Sequence, residues 1–271
     1  MSEKVILKLG SRPMNEAALA AGFQLAKGAG LSVQAYFLED EALLKASHFS
    51  FSNEVQLGGQ KRCLEVHELR RETKIAQRLL CREVAKRSEA AQIPSEFETL
   101  NGNGMRRLMY KVRRPNIMVL GEHMPPRLLA KDFERFRHKG KLQGVLMAGP
   151  RAKGPFDGPL AVIVHSLEAW QMGLPLLSGY LAEEKELIVF CLGEVYEHRF
   201  YLSDGYEGEV RFERLKRCDH SRLLWMVERE KPGLLFAMPG APYLATEKDV
   251  EALLRLLACP IFAALAKPAN G

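Results

Sequence analysis

The sequence predicts an α/β fold made of two tandem domains, each a doubly wound parallel sheet with helices on both faces. An apolar run at 115–121 has an echo at 232–240. Both runs are too short for a helix and lack polar alternation, which is typical of strands buried on both faces. The alternation of strand and helix patterns that starts at Val5 starts again at Leu160. Such a repeat favours one fold used twice.

The first half begins with a predicted strand at Val5–Leu9, a turn, and a helix from Met14 to about Lys27 that a glycine pair ends. A second strand at 31–38 completes a βαβ unit, whose strands should be parallel and whose crossover should be right-handed. The other predicted elements are a loop at 46–62 pinned by two phenylalanines, a long charged helix at 63–91, a strand at 95–100, a helix at 105–113, the central strand at 117–120, a helix at 128–138 and a strand at 144–148.

The second half repeats this order after a short polar linker at 151–157, so we predict domains at 1–150 and 158–271. Val5 and Leu160 are 155 positions apart, whereas Pro115 and Pro232 are only 117 apart. The 38 missing residues correspond to the loop and long helix of the first half. The predicted elements are strands at 160–164, 186–191, 209–215, 234–238 and 260–264, and helices at 167–184, 220–230 and 246–257, the last with a capping box at Thr246.

Composition excludes several classes of protein. A chain of 271 residues with 47% hydrophobic residues can form two real cores, which excludes disorder. Its five cysteines show no Cys-x-x-Cys spacing, so we expect reduced thiols, no disulfide framework and no metal site. The apolar run after Lys4 is too short for a signal peptide, and no stretch reaches the roughly 18 to 20 apolar residues of a membrane span. We therefore expect a soluble, cytoplasmic protein.

The net charge of +6 is unevenly distributed. Residues 1–150 carry 25 Lys and Arg against 16 Asp and Glu, whereas residues 151–271 carry 14 against 17. Two basic clusters lie in the first half, and their arginines are candidate contacts for an anion or a partner: Arg106, Arg107, Arg113 and Arg114 in the first, Arg135 and Arg137 in the second. A solvated helix face is the more common explanation of such a charge run, and an anionic partner is the alternative. A nucleic-acid partner is disfavoured because aromatic residues do not alternate with these cations.

A glycine-rich turn at 101–104 precedes the helix that carries Arg106 and Arg107. A strand, a glycine turn and a helix can together hold an anion on backbone N–H groups. The same sequence also fits an ordinary tight turn, so both interpretations stay open.

The order of elements, the strand-ending Gly121 and the closing stretch Ala258–Ala264 with its Cys259–Pro260 resemble a tandem pair of universal stress protein domains over nearly the whole chain. The resemblance implies an adenine-nucleotide alpha-hydrolase-like fold. It also implies that the two halves pair through their last strands, at 144–148 and 260–264, as an intramolecular pseudo-dimer. A further homodimer is possible. Family members that bind ATP carry an acidic residue at the end of the first strand and a Gly-x2-Gly-x9-Gly-Ser/Thr loop after the fourth.

This sequence departs from that ATP-binding pattern in both halves. Leu9 and His165 replace the acid, although Ser11 and Ser166 keep the following serine. After Gly121, the second glycine, the third glycine and the hydroxyl position of the loop are occupied by Met124, Glu134 and Arg135. In the second half, counted from Pro239, the same positions are occupied by Pro242, Ala252 and Leu253. Counted from Gly240, the two glycine positions are occupied by Tyr243 and Leu253. A proline cannot donate an N–H to a phosphate. We therefore predict that the family's phosphate cradle is degenerate in both halves.

Ligands of open α/β sheets bind beyond the carboxyl ends of the strands, so the candidate ligand-binding residues are the polar and glycine positions there. They are Ser11, Gly121, Glu122, His123, His165, Ser166 and Gly240. His123 could act as an acid, a base or a metal ligand, or be a loop histidine without a function. His165 occupies a position where the resembled family places adenine recognition, and it could instead be a hydrogen-bonded histidine at a strand end. Trp170 and Trp225 are predicted core or domain-interface residues. An aromatic loop at 196–206 could cover the second crevice or contact a protein.

Two main functional hypotheses follow. The first is a non-catalytic stress-response or regulatory protein that binds a protein partner or a small ligand and needs no cofactor. The second keeps ATP, AMP or another phosphate ligand in the crevice of one domain. An enzyme of unrelated chemistry on the same fold is a third, less favoured possibility, since no catalytic triad or Walker loop can be assembled.

Overall fold

The structure is a computed structural model that describes residues 3–10, 14, 16–39, 53–55, 61–63, 65–101, 104–112, 116–121, 125–137, 142–152, 158–181, 186–193, 208–215 and 219–265. The strands of the first half are β1 (Lys4–Leu9), β2 (Ser32–Leu38), β3 (Asn53–Val55), β4 (Lys61–Cys63), β5 (Ser95–Leu100), β6 (Asn116–Leu120) and β7 (Leu142–Met147). Those of the second half are β8 (Leu160–Val164), β9 (Leu187–Leu192), β10 (Val210–Leu215), β11 (Leu234–Ala237) and β12 (Ile261–Ala264).

Seven helices lie in the described residues: α1 (Glu16–Gly28), α2 (Val66–Ala91), α3 (Gly104–Lys111), α4 (Pro126–Arg137), α5 (Leu167–Leu181), α6 (His220–Glu230) and α7 (Glu247–Leu256). A short 3-10 helix, Pro242–Leu244, precedes α7. No helix in the described ranges is both long and apolar enough to cross a membrane.

Ten strands form one continuous sheet in the order β10-β9-β8-β11-β12-β7-β6-β1-β2-β5. Every neighbouring pair is parallel except β7 and β12, which run antiparallel where the two halves meet. Each half therefore has the strand order 3-2-1-4-5 of an open, doubly wound sheet. The α/β fold class predicted from the sequence is confirmed.

The register of the strands also repeats. Val5 of β1 lies opposite Ile117 of β6, and Leu160 of β8 lies opposite Leu234 of β11. Val5 and Leu160 are 155 positions apart, and Ile117 and Leu234 are 117 positions apart, which are the offsets found between the two halves of the sequence. Because β6, β8, β9 and β11 are buried along their whole length, they are apolar apart from Asn116 at the start of β6.

Two apolar layers cover the two faces of the sheet and run through both halves. One layer joins α1, α2 and α5 to the sheet, and it contains Ala18, Val84 and Trp170. The other joins α3, α4, α6 and α7 to the opposite face, and it contains Phe133 and Leu253. The alternation of strand side chains explains this division, since Val5 and Leu7 of β1 face the first layer and Ile6 faces the second.

The junction between the halves is closely packed. A Cβ added to Gly144 of β7 would lie 2.2 Å from Cζ of Phe262, so this strand position has room only for glycine. The ring of Phe262 in turn stacks on Phe236 with a centroid distance of 4.7 Å. Across the same junction, Arg137 donates hydrogen bonds to the carbonyl oxygens of Leu244 at 2.6 Å and Ala245 at 3.0 Å. The last strands therefore pair as the resemblance implies.

Two sequence predictions need correction. The stretch predicted as a loop at 46–62 contains a small antiparallel hairpin, in which β3 pairs with β4. These strands have three residues each, too few for the alternation that identifies a strand in a sequence. Trp225, predicted to lie in the core or at the domain interface, is 47% exposed on α6, whereas Trp170 is buried as predicted.

Candidate functional site

The strand order identifies two candidate crevices, one in each half. Adjacent strands β1 and β6 lead into helices on opposite faces of the sheet, and so do β8 and β11. Ligands of such sheets bind beyond the carboxyl ends of the strands at these switch points. The first crevice lies at Gly10 and Gly121, and the second at His165 and Gly240.

In the second crevice, the structure brings two predicted site residues together. His165 follows β8, and Gly240 has a φ of +78° in the turn that follows β11. A Cβ added to Gly240 would lie 3.5 Å from both Cε1 and Nε2 of the His165 ring. The positive φ therefore requires the glycine, and the imidazole lies at ordinary van der Waals distance from the position of its missing Cβ.

Burial sets the protonation of His165. Desolvation lowers the pKa of its imidazole below the usual 6.5. Its buried Nδ1 atom has no hydrogen-bond partner in the described part of the chain. A neutral imidazole gives the second crevice no positive charge with which to attract a phosphate.

The three helices that the structure describes at this edge are each capped by the chain's own side chains. Ser166, a predicted site residue, accepts a hydrogen bond from the backbone N–H of Ala169 at 3.0 Å and so caps α5. Asp219 caps α6 by accepting from the N–H groups of Ser221 and Arg222. Thr246 and Asp249 form the capping box of α7. The predicted capping box is confirmed, and these caps occupy one or two of the first-turn N–H groups of each helix that an anion could use.

Sequence reasoning missed a polar cluster at the start of α6 and α7. The Tyr243 hydroxyl bonds the backbone of Asp219, accepting from its N–H at 3.2 Å and donating to its carbonyl oxygen at 3.3 Å. The His220 ring meets the Tyr243 ring edge to face, with centroids 5.1 Å apart, and its Nε2 lies 3.5 Å from Oδ1 of Asp249. The cluster ties two helix starts to the 3-10 helix. Two helix-capping signals in the sequence could have indicated this cluster: Asp219 directly before α6, and Thr246-x-x-Asp249 at the start of α7.

The first crevice differs in how its helix packs against the end of the strand. A Cβ added to Gly121 would lie 2.1 Å from Cβ of Ala18, so α1 packs directly against the end of β6. In the equivalent pair of the second half, the glycine is on the helix and the larger residue follows the strand: Gly173 of α5 lies against Met238. There, a Cβ on Gly173 would be 2.1 Å from the methionine sulfur. Gly121 is therefore needed for the packing of α1, and Leu9 is fully buried and cannot contact a ligand.

The two edges differ in charge. Neither α3 nor α4, the two helices that start at the carboxyl ends of β5 and β6, carries an acidic residue in its first turn. Arg106 and Arg107 are exposed in the first turn of α3, and Arg127 is exposed at the start of α4. The positive ends of these helix dipoles thus lie beside further positive charge. The carboxyl edge of the first half, with Arg106, Arg107 and Arg127, is therefore positively charged, and we call it the basic edge. At the corresponding edge of the second half, the carboxylates of Asp219 and Asp249 take part in the helix caps.

The other predicted arginines are engaged inside the chain where the structure describes them. Nη1 of Arg135 lies 3.0 Å from Oδ1 of Asp132, and Arg137 bonds the two carbonyl oxygens at the junction. Arg106 stacks on Tyr110 at 5.8 Å. Arg137 therefore serves the packing of the two halves rather than an open contact surface. The predicted site residues Ser11, Glu122, His123, Arg113 and Arg114 lie outside the described residues.

Within the described residues, no group of three His, Cys, Asp or Glu side chains is arranged to hold a metal ion. Burial raises the pKa of the Cys259 thiol to about 12, so this cysteine is not a thiolate ligand or nucleophile at neutral pH.

Comparison with known proteins identifies the fold. No family model matches the sequence, and no curated protein matches it. Among solved structures, the chain is similar to a universal stress protein from Archaeoglobus fulgidus DSM 4304, with 16% sequence identity, a TM-score of 0.52, and coverage of 96% of this chain and 98% of that chain. The cytoplasmic domain of a prokaryotic cation chloride cotransporter matches with 12% identity, a TM-score of 0.49, and coverage of 100% and 98%. The fold is that of a universal stress protein.

Proposed function

We propose that this protein is a non-catalytic, cytoplasmic regulatory protein built from two copies of a universal stress protein-like domain. It acts in a stress response by binding a protein partner or a small ligand, and it has lost the ATP-binding loops of that family. The observation that carries this proposal is the capping of the three described helix starts of the second half by the chain's own side chains.

The second half supports the loss of phosphate binding by its electrostatics. A nucleotide phosphate needs free N–H groups at a helix start and a positive field. Here Ser166, Asp219 and Thr246 occupy the three described helix starts. The carboxylates of Asp219 and Asp249 would repel a phosphate, and the neutral His165 would not compensate. An ATP molecule bound at this edge would therefore lose hydrogen bonds and face like charge.

The basic edge of the first half is the favoured contact surface for a partner. Arg107 and Arg127 have no carboxylate within ion-pair distance in the described part of the chain, and both are exposed. Exposed cations without internal partners keep their charge available for an acidic surface. Arg113 and Arg114 follow α3 in the sequence and extend the same basic segment.

The same basic edge favours a second candidate function, the binding of a phosphate ligand in the first crevice. Helices α3 and α4 lack acidic residues in their first turns, unlike α7 in the second half. In this alternative, Arg106 and Arg107 with the backbone near Gly121 would hold ATP, AMP or another phosphate.

Native mass spectrometry of the freshly purified protein separates the two functions. Under the leading proposal we expect the bare mass of one or two chains and no shift in melting temperature with millimolar ATP or AMP. A nucleotide that binds the folded state stabilises it by about 2.7 kcal/mol at a hundredfold excess over its dissociation constant. A co-purifying nucleotide, or a melting shift lost in Arg106→Ala/Arg107→Ala, would establish the alternative instead.

Partner binding is tested with the fourfold variant Arg106→Glu, Arg107→Glu, Arg113→Glu and Arg114→Glu. The matched control is Arg214→Glu, an exposed arginine on the edge strand β10 of the second half. Proteins that cross-link to the native chain in the cell should be lost with the fourfold variant and kept with the control. Equal cross-linking by the native chain and the fourfold variant would reject the basic edge as the contact surface.

A further inference from the structure

The long helix α2 is the element that the second half lacks, since the connection from β9 to β10 spans only residues 193–209. With 26 residues, α2 is about 39 Å long, roughly twice the length of the six-residue strands beside it. Its inner face packs on the sheet, where Val84 is buried and Nε2 of Gln77 donates to Oγ1 of Thr99 at 2.6 Å. Within the described residues, the fold therefore uses mainly one face of this helix.

The outward face of α2 carries a continuous exposed row, which we call the outward stripe. It consists of Arg71, Ile75, Arg78, Leu79, Arg82 and Lys86, all of them exposed. Their spacing of three and four residues places them on one side of the helix. Ile75 and Leu79 are 47% and 60% exposed, an uncommon position for two aliphatic side chains one turn apart.

The cations of the outward stripe, like Arg107 and Arg127, differ from the surface cations that form ion pairs. Elsewhere, Arg87 pairs with Glu83, Arg255 with Glu251 and Lys111 with Glu98. No carboxylate in the described ranges lies within ion-pair distance of the stripe's three arginines or its lysine. The stripe thus combines an apolar centre with four unneutralised positive charges.

We infer that the outward stripe is a docking surface for an acidic amphipathic helix of a partner protein. Ile75 and Leu79 would pack against an apolar pair on that helix, and the four flanking cations would meet carboxylates. From Arg71 to Lys86 the stripe measures about 22 Å, so it fits a partner helix of about four turns. This surface is separate from the basic edge around Arg107, and it goes beyond the function proposed above.

The residues around the stripe favour a protein helix over a lipid surface. Glu68 precedes it on the same face, Glu72 lies beside its first turn and Glu89 follows it, so a flat anionic membrane would meet like charges at both ends of the stripe. Two aliphatic side chains are also a small apolar area for insertion, compared with the broad apolar face of membrane-surface helices. A partner helix of about four turns would cover only the stripe itself, and it needs only a small apolar contact area.

A peptide selection against the immobilised full-length protein tests this inference. The library displays 15-residue helices whose outward positions are randomised among Leu, Glu, Lys and Ser. We expect enrichment of peptides with two leucines four residues apart and glutamates beside them. Fluorescence anisotropy should show at least tenfold weaker binding to Arg78→Glu/Arg82→Glu and to Ile75→Ala/Leu79→Ala, with unchanged affinity for Arg214→Glu.

Several results would overturn the inference. Selected peptides could lack acidic residues, or could bind both stripe variants as tightly as the native chain. The protein could instead sediment with phosphatidylglycerol vesicles through the stripe while selecting no peptide, which would make the surface a lipid contact. A concentration-dependent dimer lost in Arg78→Glu/Arg82→Glu would make the occupant a second copy of this chain. The stripe residues are exposed, so the variants should keep the native melting temperature.

Discussion

The Nζ atom of Lys8 lies 2.9 Å from Oδ2 of Asp132, and both side chains are only 7% exposed. Lys8 belongs to β1 and Asp132 to α4, so the pair joins the sheet to a helix inside the first half. Arg135 reaches the other carboxylate oxygen from the surface at 3.0 Å. Two buried charges of opposite sign offset much of each other's desolvation cost, which leaves each dependent on its partner.

Removing one partner of this pair should be far more harmful than removing both. We expect Asp132→Ala to lower the free energy of unfolding by about 3–5 kcal/mol, because Lys8 loses its buried counter-charge. The double variant Lys8→Met/Asp132→Leu should recover most of that loss. Urea denaturation measures both. The exposed pair of Glu251 and Arg255 is the control, where Glu251→Ala should cost less than about 0.5 kcal/mol. A double variant that loses as much unfolding free energy as the two single variants together would contradict the coupling between Lys8 and Asp132.

The contact between Ala18 and Gly121 gives a second prediction. Gly121→Ala should lower the free energy of unfolding by about 1–3 kcal/mol, because its Cβ would lie 2.1 Å from that of Ala18. Ala18→Gly in the same chain should restore part of the loss by reopening the space. A thermal or urea double-mutant cycle measures the coupling. Independent effects of the two substitutions would show that α1 can shift to accommodate the larger residue.

His165 gives a prediction for the dependence on pH. Its pKa is lowered in the folded protein, so between that value and 6.5 the unfolded chain binds more protons. The contribution of His165 to stability is therefore fully present above about pH 6.5 and is lost as the pH falls through the folded pKa. His165→Gln should flatten this part of the stability curve.

An NMR titration measures the same histidine directly. The resonance missing from His165→Gln identifies it among the seven histidines. We expect a midpoint below 6.5 that millimolar ATP does not change, because no phosphate binds beside it. A midpoint raised by ATP would show a nearby anion and would argue against the loss of nucleotide binding in the second half.

The sequence was most informative about the sheet. Central strands such as β6 and β11 are buried on both faces, so they are almost entirely apolar, and their repetition in the second half gave the order of the elements. The pairing of β7 with β12 followed from a family resemblance, since local patterns contain no information about distant partners. The exposed Trp225 was missed because aromatic character at a helical position does not distinguish a core residue from a surface one.

The candidate site was less predictable because it depends on contacts between distant residues. His165 and Gly240 are 75 positions apart, and only the parallel pairing of β8 with β11 brings them together. The bonds of Arg137 to Leu244 and Ala245 likewise join the two halves. A pattern of basic residues therefore could not separate arginines that serve packing from those that stay exposed.

The two tryptophans should differ in fluorescence and in their effect on stability. Trp225 lies between Arg222, at 4.4 Å, and Arg229, at 4.9 Å, on the exposed side of α6, whereas Trp170 is only 2% exposed. Iodide should quench Trp225 strongly, because the guanidinium groups raise the local anion concentration, and it should barely quench Trp170. Trp170→Phe and Trp225→Phe isolate the two signals. Trp170→Ala should cost about 3–5 kcal/mol and Trp225→Ala less than about 1 kcal/mol, because only the first leaves a cavity. Equal quenching of both single-tryptophan variants would mean that α6 or α5 packs differently from the arrangement described above.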